Sequence, residues 1–177
     1  MSPTSQAILS PAGVRDDGKV NATTDEAIRE RRTLAVIRIA IGAMFVWVFF
    51  ENLLKGAYTP AGYRGVVQYY LEKGTAPGVW KGVMSFAASH AAVAGPLQAA
   101  SELVFGIALV TGTASRLAAA AAAGFLFTLW LSELGAAWIW ELLIPTITAA
   151  ALAATRPGRT WGLDALFSRK WPKLPIW

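Results

Sequence analysis

The chain has 177 residues, of which 55% are hydrophobic and only 15% charged, with 16 Lys+Arg, 11 Asp+Glu, one His, eight Trp and no Cys. A soluble domain is about 25% charged and needs far more polar surface to cover a core of this size, so an ordinary soluble globular protein is excluded. Without cysteine there are no disulfides, thiolate nucleophiles or Cys-ligated clusters, and a single histidine excludes a multi-histidine metal site.

Residues 1–27 are small and polar with no apolar period, which predicts a disordered or loosely attached head. No apolar stretch follows Met1 closely enough for a signal peptide. Thr24 is an N-cap candidate for an amphipathic start running to Arg32. The first apolar span is predicted over 33–54. Its uncharged centre, Ile39 to Phe50, is bracketed by Arg38 and Glu51, about 20 Å apart along a helix axis. Each charge then lies near one face of a bilayer.

The segment 55–95 is too long for a simple connector. Thr59-Pro60 reads as an N-cap followed by proline at the first helical position. Tyr63, Val66, Val67, Tyr70 and Leu71 then form one apolar stripe, and Gly74 ends the helix. A second helix starts near Thr75–Pro77, with Trp80, Val83, Met84 and Ala87 at the same spacing. Both are predicted to be amphipathic, lying on the membrane surface or capping the bundle.

Further spans are predicted over 96–112, 115–132 and 138–155. The Ala/Gly run from Ala118 to Gly124 suits close helix packing inside a bundle. Pro145 interrupts the last span, and Arg156-Pro157-Gly158 stops it. The tail 157–177 mixes Trp, Leu and Phe with Arg and Lys, as an interfacial segment does. The expected fold is therefore an all-α integral membrane protein. A four-transmembrane-helix bundle over 28–156 carries two short amphipathic helices in an outer loop.

Basic residues fix the expected orientation. Arg15, Lys19, Arg29, Arg31, Arg32, Arg116, Arg156, Arg159, Arg169, Lys170 and Lys173 fall on one side, against Lys55, Arg64, Lys73 and Lys81 on the other. The bias places both termini in the cytoplasm and 55–95 outside. The charge follows the membrane flanks, so membrane lipid and not nucleic acid is the expected partner.

Four carboxylates, Glu51, Glu102, Glu133 and Glu141, lie in or beside apolar spans and, with this topology, toward the outer leaflet. A carboxylate in hydrocarbon costs several kcal/mol, so such groups face the bundle interior with a partner. Two readings are open. In one, Glu102, Glu141 and Glu133 form a proton-handling site. In the other they are structural, with Glu51 pairing Lys55 one turn on. Trp47, Trp130, Trp138 and Trp140 gather at the outer span ends, either as an aromatic belt or as the wall of a ring-binding pocket. His90 is either a packed surface residue or a hydrogen-bond partner for a quinone carbonyl or an axial ligand. Arg38 and Arg116 suit headgroup or carbonyl contacts. There is no P-loop, GxGxxG or Ser/His/Asp arrangement.

Three pieces carry a family resemblance. They are Arg38-Ile39-x-x-Gly42-x-x-Phe45, Glu102-Leu103-x-x-Gly106…Gly112…Arg116-Leu117, and Pro157-Gly158-Arg159-x-Trp161-x-Leu163-Asp164. With them the chain, over about residues 33–170, resembles the DoxX/DoxD family of small four-helix membrane proteins. Tyr63-Arg64…Gln68-Tyr69-Tyr70 and the 138–141 stretch look more like the DoxD branch, the membrane subunit of thiosulfate:quinone oxidoreductase. The resemblance implies a bacterial cytoplasmic-membrane redox subunit that touches quinone and works with other membrane or periplasmic subunits. It supplies no catalytic residues to carry over.

On the quinone reading, Trp47, Trp130, Trp140 and His90 are the pocket candidates, and Lys55, Arg64 and Lys81 would attract an anionic donor such as thiosulfate. No metal, flavin or iron–sulfur cluster is expected on this chain. The alternative is a non-catalytic structural or accessory subunit docked on a larger respiratory or photosynthetic complex.

Overall fold

The computed structural model describes residues 17–171, with side chains from Thr24 onward. Helix α1 spans Asp17–Leu54, α2 Pro60–Lys73, α3 Gly78–Ser89, α4 Ala91–Thr111, α5 Ser115–Glu133, α6 Trp140–Ala154 and α7 Asp164–Lys170, with a 3-10 turn at Pro157–Arg159. No strand occurs among the described residues. Helix α1 begins at Asp17, ahead of the start expected at Thr24. The rest of the head and the end of the tail lie outside the described residues.

Three helices are long and apolar enough to cross a membrane: Thr24–Leu54, Ala91–Thr111 and Ser115–Glu133. The fourth expected span is shorter. Helix α6 has 15 residues, because the chain leaves α5 at Leu134, turns through Gly135 at φ 79°, and resumes a helix only at Trp140.

Helices α1, α4, α5 and α6 pack in a ring, each touching the next and α6 closing back on α1. Two pairs dominate. Between α1 and α4 the backbones meet at Gly42 and Gly106. A Cβ at Gly42 would lie 2.7 Å from the Val110 amide nitrogen, and one at Gly106 2.7 Å from Val46 Cγ2. Between α5 and α6 the alanine run has the same effect: Ala118, Ala119 and Ala122 are buried with Leu126, Ala149 and Leu152. In lipid, where burial of apolar surface gives no drive, such close small-residue packing supplies the attraction.

Helices α2 and α3 close one end of the ring. Thr59 caps α2 by accepting the Gly62 N–H at 3.1 Å, with Pro60 in the first turn. Val67 on α2 and Met84 and Ala88 on α3 bury a small core of their own with Ala76. Lys81 reaches back to donate to the carbonyls of Leu71 (3.2 Å) and Gly74 (3.0 Å), which would otherwise be orphaned at the C-terminus of α2. The Thr75 N–H donates to the Leu134 carbonyl, tying this cap to the α5–α6 turn.

A buried polar clasp fixes the opposite end. Arg38 is completely buried, and its guanidinium donates to the carbonyls of Pro157 (3.3 Å) and Trp161 (2.9 Å). Asp164, equally buried, accepts from the N–H groups of Ala114 (2.6 Å) and Ser115 (2.9 Å) and from the Ser115 hydroxyl (2.5 Å). Gly112, at φ 67°, and Gly162 let the backbone touch the guanidinium, where any Cβ would overlap it. The chain after α6 is thereby strapped onto α1 and the α4–α5 turn. The third resemblance motif, from Pro157 to Asp164, is this strap.

Candidate functional site

A cavity of about 670 Å³ lies between the capping helices and the ring, with walls from α1 through α6. Its chemical centre is Glu102. Gly95 sits two turns earlier on the same face of α4. The backbone of Tyr58 rests directly on it: a Cβ at Gly95 would lie only 3.0 Å from the Tyr58 carbonyl carbon. That close approach, and a stack on Phe49 with centroids 5.8 Å apart, aims the Tyr58 ring along α4 so that its hydroxyl donates to Glu102 Oε2. Gln98, one turn before Glu102, donates to Oε1 at 2.9 Å, and Asn52 Nδ2 stands 3.5 Å from Oε2. Glu102 is left 1% exposed. A buried carboxyl of this kind is tolerable only because donors from α1, the α1–α2 turn and α4 converge on it.

A second carboxyl–phenol pair lies on the other side. Tyr70 of α2 donates to Glu133 Oε1 at 3.1 Å, and Glu141 in the first turn of α6 adds a negative charge nearby. Trp80 donates its indole N–H to the Ser132 hydroxyl at 2.9 Å. The apolar wall includes Val48, Val67, Met84, Phe125 and Leu129.

Burial pushes the Tyr58 phenol above its ordinary value, and its bond to Glu102 adds to this. Burial does the same for Tyr70, reinforced by Glu133, and for Tyr63 through burial alone. All three stay neutral donors at physiological pH. The consequence for stability has a definite sign. Below pH of about 10 the phenols are protonated folded and unfolded, so they add no pH dependence; above it the unfolded chain releases protons first, and stability falls as pH rises. Melting curves from pH 8 to 11 should show this loss, and Tyr58→Phe or Tyr70→Phe should each reduce it. A flat profile would contradict the burial.

All four singled-out carboxylates, Glu51, Glu102, Glu133 and Glu141, line this one cavity. Glu51 is exposed and pairs with Lys55 at 2.6 Å. The expected anion-attracting cations are not gathered: Lys55 is held by Glu51, Arg64 is exposed on α2, and Lys81 caps α2. Nor do Trp47, Trp130, Trp140 or His90 line the cavity. Trp47 is 73% exposed and Trp140 points outward as well. Trp130 donates to the Ile139 carbonyl at 3.1 Å and so braces the α5–α6 turn. His90 is exposed at the α3–α4 junction, its ring against Phe86.

Sequence reasoning passes over Tyr58, Tyr70, Gln98 and Asn52 as site residues, and reads Trp80 only as part of a helix stripe. Gln98 and Glu102 at i,i+4 spacing are an available signal. The aim of Tyr58 is not, since it depends on the contact with Gly95.

A ring of apolar helices, three of span length, beside a cavity with one buried carboxyl group defines a helical membrane protein. The DoxX family model matches residues 33–133, more than half of the chain, and the chain belongs to that family. No curated protein and no solved structure matches it.

Proposed function

We propose that the protein is a quinone-associated subunit of a membrane redox complex, of the thiosulfate:quinone oxidoreductase type, with α6 as a fourth, short span and both termini cytoplasmic. The observation that supports this reading is the cavity: about 670 Å³, walled by apolar side chains, with Glu102, backed by the buried Tyr58, and the pair Tyr70–Glu133 facing it from different helices. Its size is that of a small-molecule site, about 300–1,000 Å³. The chemistry present fits a lipophilic ring with oxygen at its ends. A bound quinone would supply the acceptor for two electrons and two protons. The chain's part is to hold the ring against Phe125, Leu129 and Trp80 and to keep exchangeable protons on the two carboxyl–phenol pairs. With no cysteine in the sequence, electrons come from another subunit or directly from the donor.

One observation favours a second reading, that of a non-catalytic accessory subunit: Arg64 and Lys81 stand away from the cavity and assemble no anion site there. Equilibrium dialysis of a short-chain quinone against the protein in lipid nanodiscs separates the two. Saturable binding that Ala94→Trp, which fills the cavity, removes is the expected result. Partitioning identical in both proteins would overturn the quinone reading.

A further inference from the structure

Helix α3 is apolar on nearly every side. Its inner face, Met84 and Ala88, is buried, yet its outer face carries Val79 at 88% exposed, Val83, and Phe86 at 67%. Its one charged residue, Lys81, is turned inward onto the carbonyls of Leu71 and Gly74. Its exposed serines, Ser85 and Ser89, donate back to the carbonyls of Lys81 and Phe86, so the outer side offers no charge and such a helix suits lipid. At 12 residues α3 is about 18 Å long, too short to span and of the length of a re-entrant or interfacial segment.

What covers this face follows from its continuation. A single residue, His90, separates α3 from α4. The exposed apolar surface runs on without a charge through Val93, Leu97, Val104 and Ile107 of α4, a helix of span length. The surface that α4 presents to hydrocarbon therefore extends onto α3.

The cavity rim has the same division. Residues that both line the cavity and are exposed sit at its mouth. On α2, α3 and α4 these are Val66, Val83 and Leu97; on α1, the turn after it and α6 they are Glu51, Lys55 and Glu141. Helix α3 packs on α2, α4 and α5, so the apolar rim lies on its side of the molecule.

We propose that α3 is sunk in the outer leaflet and that the cavity opens sideways into the bilayer past Val66, Val83 and Leu97, so that its ligand is a membrane-dissolved amphiphile. The charged rim of Glu51, Lys55 and Glu141 is then a separate mouth to water. This rests on the reading that the cavity is the ligand site. The entrance is then on the α3–α4 side, away from the α5–α6 turn.

Because the chain has no native cysteine, a single Thr128→Cys places one thiol on the cavity wall. In proteoliposomes its labelling by a long-chain alkyl maleimide and by a charged, membrane-impermeant methanethiosulfonate is compared, each rate scaled to that of a free thiol. Adding Val83→Trp or, independently, Leu97→Trp should slow the alkyl reagent about tenfold, an ordinary steric barrier, and leave the charged one unchanged. Both rim sites are exposed, so the bulk is accommodated without repacking. Equal labelling by the two reagents with no effect of either rim substitution, or labelling by neither, would overturn the proposal. The readout involves no quinone, so loss of the quinone reading would leave this result standing.

Discussion

Asp164→Ala should destabilise the protein by about 3–5 kcal/mol, because three buried donors lose their acceptor at about 1–3 kcal/mol each. The Asp164 carboxylate holds the amides of Ala114 and Ser115 and the Ser115 hydroxyl. It also supplies the negative charge that Arg38 feels from within the clasp. Its loss orphans three donors and removes a negative charge near Arg38, which keeps its bonds to the Pro157 and Trp161 carbonyls. Asp164→Asn keeps one carbonyl oxygen for those donors and should cost less. Arg38→Met should also be severe, and the double variant Arg38→Met/Asp164→Ala should cost less than the sum of the two. Thermal unfolding in a mild detergent measures all four. Additive losses would show that the clasp is not one electrostatic unit.

Glu102→Gln is expected to act on chemistry instead. The amide keeps the shape of the side chain and an oxygen that can accept from Tyr58, so stability should fall by no more than about 1–2 kcal/mol. The amide can neither take up nor release a proton. Quinone reduction by the reconstituted complex should fall by about 100-fold or more, within the usual range for a positioned acid–base group. Glu102→Ala should lose both, since the Tyr58 hydroxyl and the Gln98 amide would be left buried without an acceptor. Undiminished reduction in a folded Glu102→Gln protein would remove Glu102 from the mechanism and favour the accessory reading.

The two ends of the molecule differ in how legible they are in the sequence. Local chemistry announces Thr59-Pro60 as a helix start, Gly74 as a stop, and Ala118, Ala119 and Ala122 as a packing face, because each signal lies within a turn or two of its effect. Glu102 stands out because a carboxylate deep in an apolar run must have partners. Its partners do not stand out. Tyr58 is brought to it by a backbone contact at Gly95, across 37 residues of sequence, and nothing local to Tyr58 encodes that. The tryptophans mislead for a related reason. At helix ends a belt and a pocket wall have the same composition, and only packing shows that Trp80, inside α3, faces the cavity while Trp47 faces out. Arg38 and Asp164 likewise meet only when the chain after α6 folds back. Helix α6 falls short of the expected span because the turn after α5 runs on through Ile139 and the helix ends at Ala154.

The central claim is that the cavity around Glu102 holds a membrane-derived quinone. The most direct test is to extract the protein from its native membranes in mild detergent and measure lipophilic molecules per chain by mass spectrometry, beside Ala94→Trp prepared identically. Near-stoichiometric quinone on the parent and none on the filled-cavity variant is the result expected here. A parent that carries no quinone, or the same amount as the filled variant, would contradict the claim.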